Sequence, residues 1–470
     1  MNTNFIDYYI SKKSKKTLVV NKEDIEINQF NKEKYDVIYL NGTLEIAKEI
    51  IKSKTPEIDL IKHYKNLLKD TGSLFISVDN SHGVKYISGN KSEYCNNIYD
   101  SLKNQYKNGR LFSKNELNEI VSNSNFKYNR YYYPLPNYNN PNVVFTDKKL
   151  PNIKNSKLNY NIVYNEGSLV IQDEITLLKI FIEEGKFVEF TNSYIVELSD
   201  YEIDDSVKYY SIHNMRKDKY SLITKMEDNY VKKYPQTLEA LRHIKNINKN
   251  SKELKKLGFN IAEERSDKMV VSKMIKLRLM DEQIVENIDY KEKVYELIDN
   301  WFDYINKKLL ANEDGFTKYG FIDMVFENTF YDDVNNEYVF FDQEWYKENI
   351  PIKYILYRAI KNLYEHNPEI SSKIPVEEVF DRYNFNKQPI EEFENMERIF
   401  QNEIINEEKQ NFYAKQYEFK ISSEEIKQII KDIKKLDRDN VELSAEIKKL
   451  DRDNVELIAE IKRLSEKGKI

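Results

Sequence analysis

The segment from Phe321 to Trp345, FIDMVFENTFYDDVNNEYVFFDQEW, carries residue types that could do chemistry. Asp323 lies among apolar residues and is followed five positions later by Asn328. A polar turn, Asp332 to Glu337, precedes the apolar run Tyr338 to Phe341, which ends in Asp342-Gln343-Glu344. This pattern predicts a loop, a strand, a tight turn and a second strand with a carboxylate at its end. Phosphoryl transfer to a hydroxyl needs such a set. One Asp orients and deprotonates the acceptor, an Asn holds a metal, and a second Asp holds the metal that bridges nucleotide phosphates. Asp323 is then the candidate base, Asn328 and Asp342 are candidate metal ligands, and Glu344 is a further ligand or a support. The bland alternative is a β-hairpin with carboxylates at its solvated ends, because D-x-x-x-x-N spacing is common.

Such a site needs a small sheet ahead of it. Short strands are expected at Tyr160–Tyr164, Ser168–Gln172, Lys186–Phe190, Tyr194–Leu198, Val207–Ile212 and Tyr220–Met226, the last two flanking a basic turn. The hairpin FVEF-TNS-YIVEL falls where a phosphate-covering loop would stand, with Thr191, Asn192 and Ser193 in place of glycines. The strand Asn229–Tyr234 offers Lys233 for the phosphates. A helix over Gln236–Ile247, begun behind Pro235, offers Glu239 as its partner. Lys225 and Lys232 remain alternatives, because sequence does not fix strand register. Met269–Ile275 reads as a last strand, and Tyr290–Leu310, Tyr354–Tyr364 and Val376–Tyr383 read as helices. Arg358 lies among apolar residues and needs a buried carboxylate partner.

Together these parts resemble the protein-kinase-like fold, especially aminoglycoside and choline kinases. Phe321 stands where those families carry a His two positions before the Asp. The resemblance implies Mg2+ and ATP as cofactors and a small-molecule or glycan hydroxyl as acceptor.

The first 151 residues read differently. The strands Thr17–Asn21, Tyr35–Leu40 and Ser73–Val78, with helices Leu44–Lys52 and Ile58–Lys69, predict an α/β unit with a parallel sheet. Ligands of such sheets sit at the carboxyl ends of the strands, here at Asn41, Asp79 and Asn80. The stretches YDVIYLNGTLEIA, LLKDTGSLFISVDN, HGVKYISGN, LFSKNEL and YYYPLPNYNNPNVVFTDKKLP occur in that order. They resemble the C-terminal half of a class I S-adenosylmethionine-dependent methyltransferase. The group in question is found with cell-surface polysaccharide and glycan biosynthesis genes. Two family features differ. No Gly-x-Gly turn precedes YDVIYL, since the first glycine is Gly42, and Ser92, Glu93 and Tyr94 replace the family's Glu-Asp-His. A truncated, inactive domain is expected, without S-adenosylmethionine as cofactor.

The chain ends in a repeat of period fourteen: KKLDRDNVELSAEI at 434–447 and KKLDRDNVELIAEI at 448–461. Ile433, Asn440, Ile447, Asn454 and Ile461 fall at heptad a, and Leu436, Leu443, Leu450, Leu457 and Leu464 at d. Ile at a with Leu at d favours a parallel two-stranded coiled coil, and Asn at a fixes register. Glu446 would face Asp451 of a parallel partner. The expectation is a homodimer or a basic heterotypic partner, with an antiparallel arrangement as the alternative that avoids this clash.

A net charge of −6 gives no basic field for nucleic acid, and the single Cys95 excludes an internal disulfide. No apolar run approaches the ~20 residues of a membrane span. The expected organisation is a methyltransferase-like domain (1–151), a kinase-like α+β domain (152–385), a helical linker (386–428) and a coiled coil (429–464). Such a protein is expected in the cytoplasm. Three functions follow: a phosphotransferase of surface-glycan assembly, a non-catalytic dimeric scaffold for a glycosyltransferase, or a methyltransferase completed by another chain.

Overall fold

The computed structural model describes residues 16–468, apart from 25–32, 153–157, 159, 171, 265, 267, 310–311 and 418–419. Most of the expected connector Pro151–Leu158 lies outside the described residues. The chain is mixed α/β, with a large mixed sheet and a long C-terminal helix.

Eleven described strands form that sheet. Thr17–Asn21, Tyr35–Asn41 and Leu68–Asp79 lie side by side and parallel. Residues 73 to 78 of the third strand are all buried, as expected for a parallel strand covered on both faces. Next comes Ser193–Ser199, antiparallel to Leu68–Asp79 on one side and to Tyr128–Leu135 on the other. Every residue of SYIVELS is buried. Its one charge, Glu197, accepts hydrogen bonds from Ser73 Oγ at 3.0 Å and Tyr132 OH at 2.9 Å. The order continues, antiparallel throughout, with Val143–Thr146, Val207–Ile212, Leu222–Glu227, Tyr230–Pro235, Val270–Lys273 and Glu263–Glu264. The sheet thus runs unbroken past residue 151. A strand from beyond that point completes the N-terminal part.

Three local expectations are corrected. Phe187–Phe190 is a helical turn, not a strand, because it lets Phe187 bury edge-on against Tyr133 and Phe145. Residues 160–164 form no regular strand. The helix behind Pro235 begins only at Leu241. Pro235 still belongs to its strand, and the Thr237 hydroxyl ties the intervening turn to Asp218 O at 2.8 Å and to the Ala240 N–H at 3.2 Å.

A second core surrounds Trp301, which is fully buried. The helices Lys291–Leu309 and Ile352–His366 pack there against the hairpin Thr329–Asp332 and Glu337–Phe340. The expected linker contributes to this core: the helix Lys387–Ile404 buries Phe393, Phe400 and Ile404 in it. Ser423–Glu466 then forms one helix of 44 residues. Its apolar stripe, including Ile433, Leu443, Leu450 and Leu457, stays more than half exposed in the single chain. No helix among the described residues is long and apolar enough to cross a membrane.

Candidate functional site

The strands Val207–Ile212, Leu222–Glu227 and Tyr230–Pro235, a helix, and then Glu263–Glu264 and Val270–Lys273 form the part that positions Lys233. Register decides among the three lysines. Lys233 pairs with Thr224 and Val270 across the sheet and is 8% exposed. Lys225 and Lys232 meet Glu227 instead, at 2.8 and 2.6 Å. Lys233 Nζ reaches the large lobe, where it binds Asp342 and also Glu344 Oε1 at 2.5 Å. Burial opposes its charge, but the two carboxylates overcome that and raise its pKa above the usual lysine value.

Asp342 sits at the end of the second hairpin strand at φ 61°, a left-handed conformation that is uncommon outside glycine. Its N–H donates to Glu263 Oε1 at 2.6 Å, and its side chain is about one third exposed. Glu344 is enclosed. Arg216 binds its Oε2 at 2.6 Å, and His243 Nε2 lies 3.4 Å from the same atom. Burial works against the charged form, yet Arg216 and Lys233 hold the Glu344 carboxyl well below the usual range.

Asp323 is 7% exposed. Its Oδ2 accepts the N–H groups of Glu344 at 2.9 Å and Trp345 at 2.8 Å, and its Oδ1 lies 3.8 Å from Arg358. Burial lifts its pKa to about 7 despite Arg358. Asn328 Nδ2 donates to Asp323 O at 3.1 Å. Arg358 has the buried carboxylate it needs in Asp323, and it also binds the half-buried Glu397. Asp323, Asn328, Asp342, Glu344 and Lys233 are therefore linked through one bonded network.

The other expected residues lie elsewhere. Glu239 is exposed in the turn before the helix, so it is not the partner of Lys233. That helix touches the site through His243 and through Asn250, whose Nδ2 donates to Gln343 O and Glu344 O. Asn192 and Ser193 do not cover Lys233. Asn192 binds Glu174 at 2.7 Å and Pro136 O at 3.0 Å, and Ser193 Oγ donates to Asp79 at 2.8 Å. Their apolar neighbours Tyr194 to Leu198 carry this stretch into the middle of the long sheet. The turn beside the carboxylates is instead 213–221, and it supplies Arg216. The basic run Met215-Arg216-Lys217 between two strands was the sequence signal for it; His243, Asn250 and Glu263 had none.

At the parallel strands, Asn41 Nδ2 donates to Asn21 at 3.0 Å and its Oδ1 accepts from Tyr39 OH at 2.8 Å. Asn80 is fully buried, with its amide nitrogen donating to Glu189 O and Thr191 O. Asp79 is held by Lys85 at 2.6 Å and Tyr86 at 3.0 Å. Lys22, just past the first strand, sends its ammonium to Glu45 at 3.0 Å, to Glu93 at 2.7 Å and to the Tyr94 hydroxyl.

The donors around Asp342 are hard oxygens, which suit Mg2+. Among the described residues no three or more His, Cys, Asp and Glu side chains form a metal site of their own. Magnesium shared with nucleotide phosphates and water needs only one or two protein carboxylates, so the residues present fit Mg·ATP.

No family model matches the chain, and no curated protein matches it. Distant structural matches fall into two classes, methyltransferases and kinase-like phosphotransferases. One is a SAM-dependent methyltransferase of Thermotoga maritima, at 12% identity and a TM-score of 0.19, over 37% of this chain and 60% of that one. A second is the streptomycin–ATP–APH(2")-IIa complex, at 15% identity and a TM-score of 0.20, over 37% of this chain and 86% of that one. A third is WbdD, at 10% identity and a TM-score of 0.20, over 67% of this chain and 57% of its own. The chain spans less than two thirds of the methyltransferase and of WbdD. At such TM-scores none of them establishes a shared fold.

Proposed function

We propose that the chain is a phosphotransferase that uses Mg·ATP to phosphorylate a hydroxyl of a sugar or polyol. The observation that carries this is the link between Lys233 on the strand Tyr230–Pro235 and Asp342 at the end of the hairpin Thr329–Asp332/Glu337–Phe340, with Asn328 donating to Asp323 O. These are the parts that place and neutralise a transferring phosphoryl group. In this reading Lys233 holds the phosphates, and Asp342 and Asn328 hold the metal. Glu344 fixes Lys233 and Arg216 beside Asp342. Asp323 takes the acceptor proton, and a pKa of about 7 suits a general base near neutral pH. When bound, Mg·ATP supplies the phosphoryl group and the cation that neutralises its charge. Sugar chemistry rests on the resemblance of residues 35–151 to methyltransferases of glycan assembly.

A second reading is a non-catalytic scaffold. One observation favours it: Lys233, Arg216 and the amides of residues 344–345 already occupy oxygens of Asp342, Glu344 and Asp323. Calorimetry of ATP binding with and without Mg2+ separates the two. Phosphotransfer requires Mg-dependent binding that Asp342→Asn weakens by at least about a hundredfold; no binding by the unaltered chain removes it.

A further inference from the structure

A cavity of about 220 Å³ opens at the carboxyl end of Leu68–Asp79, outside the Lys233–Asp342 group. Glu174, which begins the helix Glu174–Glu183, lines it and is 1% exposed. Its Oε1 accepts from Tyr160 OH at 2.9 Å and Asn192 Nδ2 at 2.7 Å. Its Oε2 is buried and has no hydrogen-bond partner among the described residues. A buried carboxylate oxygen without a donor costs free energy, so a donor is needed there.

The charges around the cavity define that donor. Asp79 is neutralised by Lys85 at 2.6 Å, and Glu93 by Lys22 at 2.7 Å. Each of those two carboxylates already has an ammonium partner, so neither is left to bind a further cation, and the three carboxyl groups of the lining disfavour a phosphate. Much of the remaining lining is carboxamide, including Asn137, Asn139 and Asn165, with small apolar surfaces that include Pro136 and Ile162. Amides donate to and accept from hydroxyls, and the apolar surfaces suit C–H faces. Sites for drug-sized ligands measure ~300–1,000 Å³, so this volume suits a single ring with its substituents.

We infer that this cavity is a carbohydrate-binding site for one neutral, polyhydroxylated ring, with Glu174 accepting a ligand hydroxyl through Oε2. The site is separate from phosphoryl transfer and does not depend on that reading.

Saturation-transfer NMR and calorimetry on the full chain test it, using the methyl α-glycosides of glucose, mannose and galactose, with spermidine as the cationic comparison. At least one glycoside is expected to bind. Glu174→Ala should weaken it about tenfold or more, because the hydroxyl loses its buried partner. Glu174→Gln, whose Oε1 can still accept from Tyr160 and Asn192 but whose amide nitrogen cannot accept, should spare the fold and lose the same ligand contact. Asn139 is exposed, so Asn139→Trp should block the mouth without disturbing the fold. Binding should persist in Asp342→Asn, so that failure of the phosphotransfer reading leaves this one standing. The inference is overturned if no glycoside binds, if Glu174→Ala and Asn139→Trp both bind like the unaltered chain, or if only spermidine binds.

Discussion

Lys233 bonds two carboxylates at once, and its removal should be felt well beyond one contact. Lys233→Met leaves Asp342 and Glu344 facing each other with Arg216 as the remaining nearby cation. A broken buried pair costs about 3–5 kcal/mol, so thermal unfolding should occur several degrees lower, and adding Glu344→Gln should restore part of the loss. Glu263 gives a pH signature. Burial places its pKa at about 7, above the 4.5 of an ordinary glutamate. The folded state therefore binds the proton more tightly. Stability from this group is full below 4.5, falls as pH rises towards 7, and stays low above it. Glu263→Gln should raise the thermal midpoint at pH 8 by at least about 2 °C and leave it nearly unchanged at pH 4.5. At this scale the closeness of Asp323, Asn328 and Asp342 was legible, because their spacing follows one short hairpin. Glu239 was not correctly paired, because choosing a partner for Lys233 requires knowing where the helix starts.

At the scale of elements, the short pairing of Gly320 with Lys347 holds the segment carrying Asp323 against the segment after Asp342. A Cβ at Gly320 would lie 1.8 Å from Lys347 O, and backbone cannot yield as a side chain can. Gly320→Ala should separate these strands, displace Asp323 from the 344–345 amides and weaken Mg-dependent ATP binding at least about tenfold. Calorimetry reads the affinity, and near-ultraviolet circular dichroism shows whether the core around Trp301 survives. Most strands were readable as apolar runs, and helices such as Lys291–Leu309 from their periodicity. FVEF misled because four residues with two aromatics fit a strand or a helical turn equally well. The contact of Phe187 with Tyr133 and Phe145 decided between them.

At the scale of the molecule, the exposed stripe on Ser423–Glu466 leaves Leu443, Ile447, Leu450 and Leu457 without cover in one chain. A rod of about 54 Å from Ile429 to Leu464, at ~1.5 Å per residue, would bury that stripe in a partner. Sedimentation velocity should give a dimer for the unaltered chain and a monomer for Ile447→Asp/Leu450→Asp. ATP affinity should stay within about twofold, since the stripe lies outside the Lys233 network. A dimer that survives both substitutions would mean association elsewhere on the body.

The order of residues alone determined what acts locally: the Asp323–Asn328–Asp342 spacing, the heptads, the buried strands and the absence of a glycine-rich turn before Tyr35. Each depends on neighbours a few positions away, where periodicity and turn chemistry operate. Tertiary structure decided the rest. It placed Ser193–Ser199 between two strands of the N-terminal sheet, chose Lys233 over Lys225 and Lys232, brought Arg216 onto Glu344, and left one oxygen of Glu174 unpartnered in a cavity. Those outcomes depend on sheet order and register between segments up to 120 or more residues apart, such as Ser73 and Ser199. No local pattern encodes that pairing; burial of the two faces together selects it.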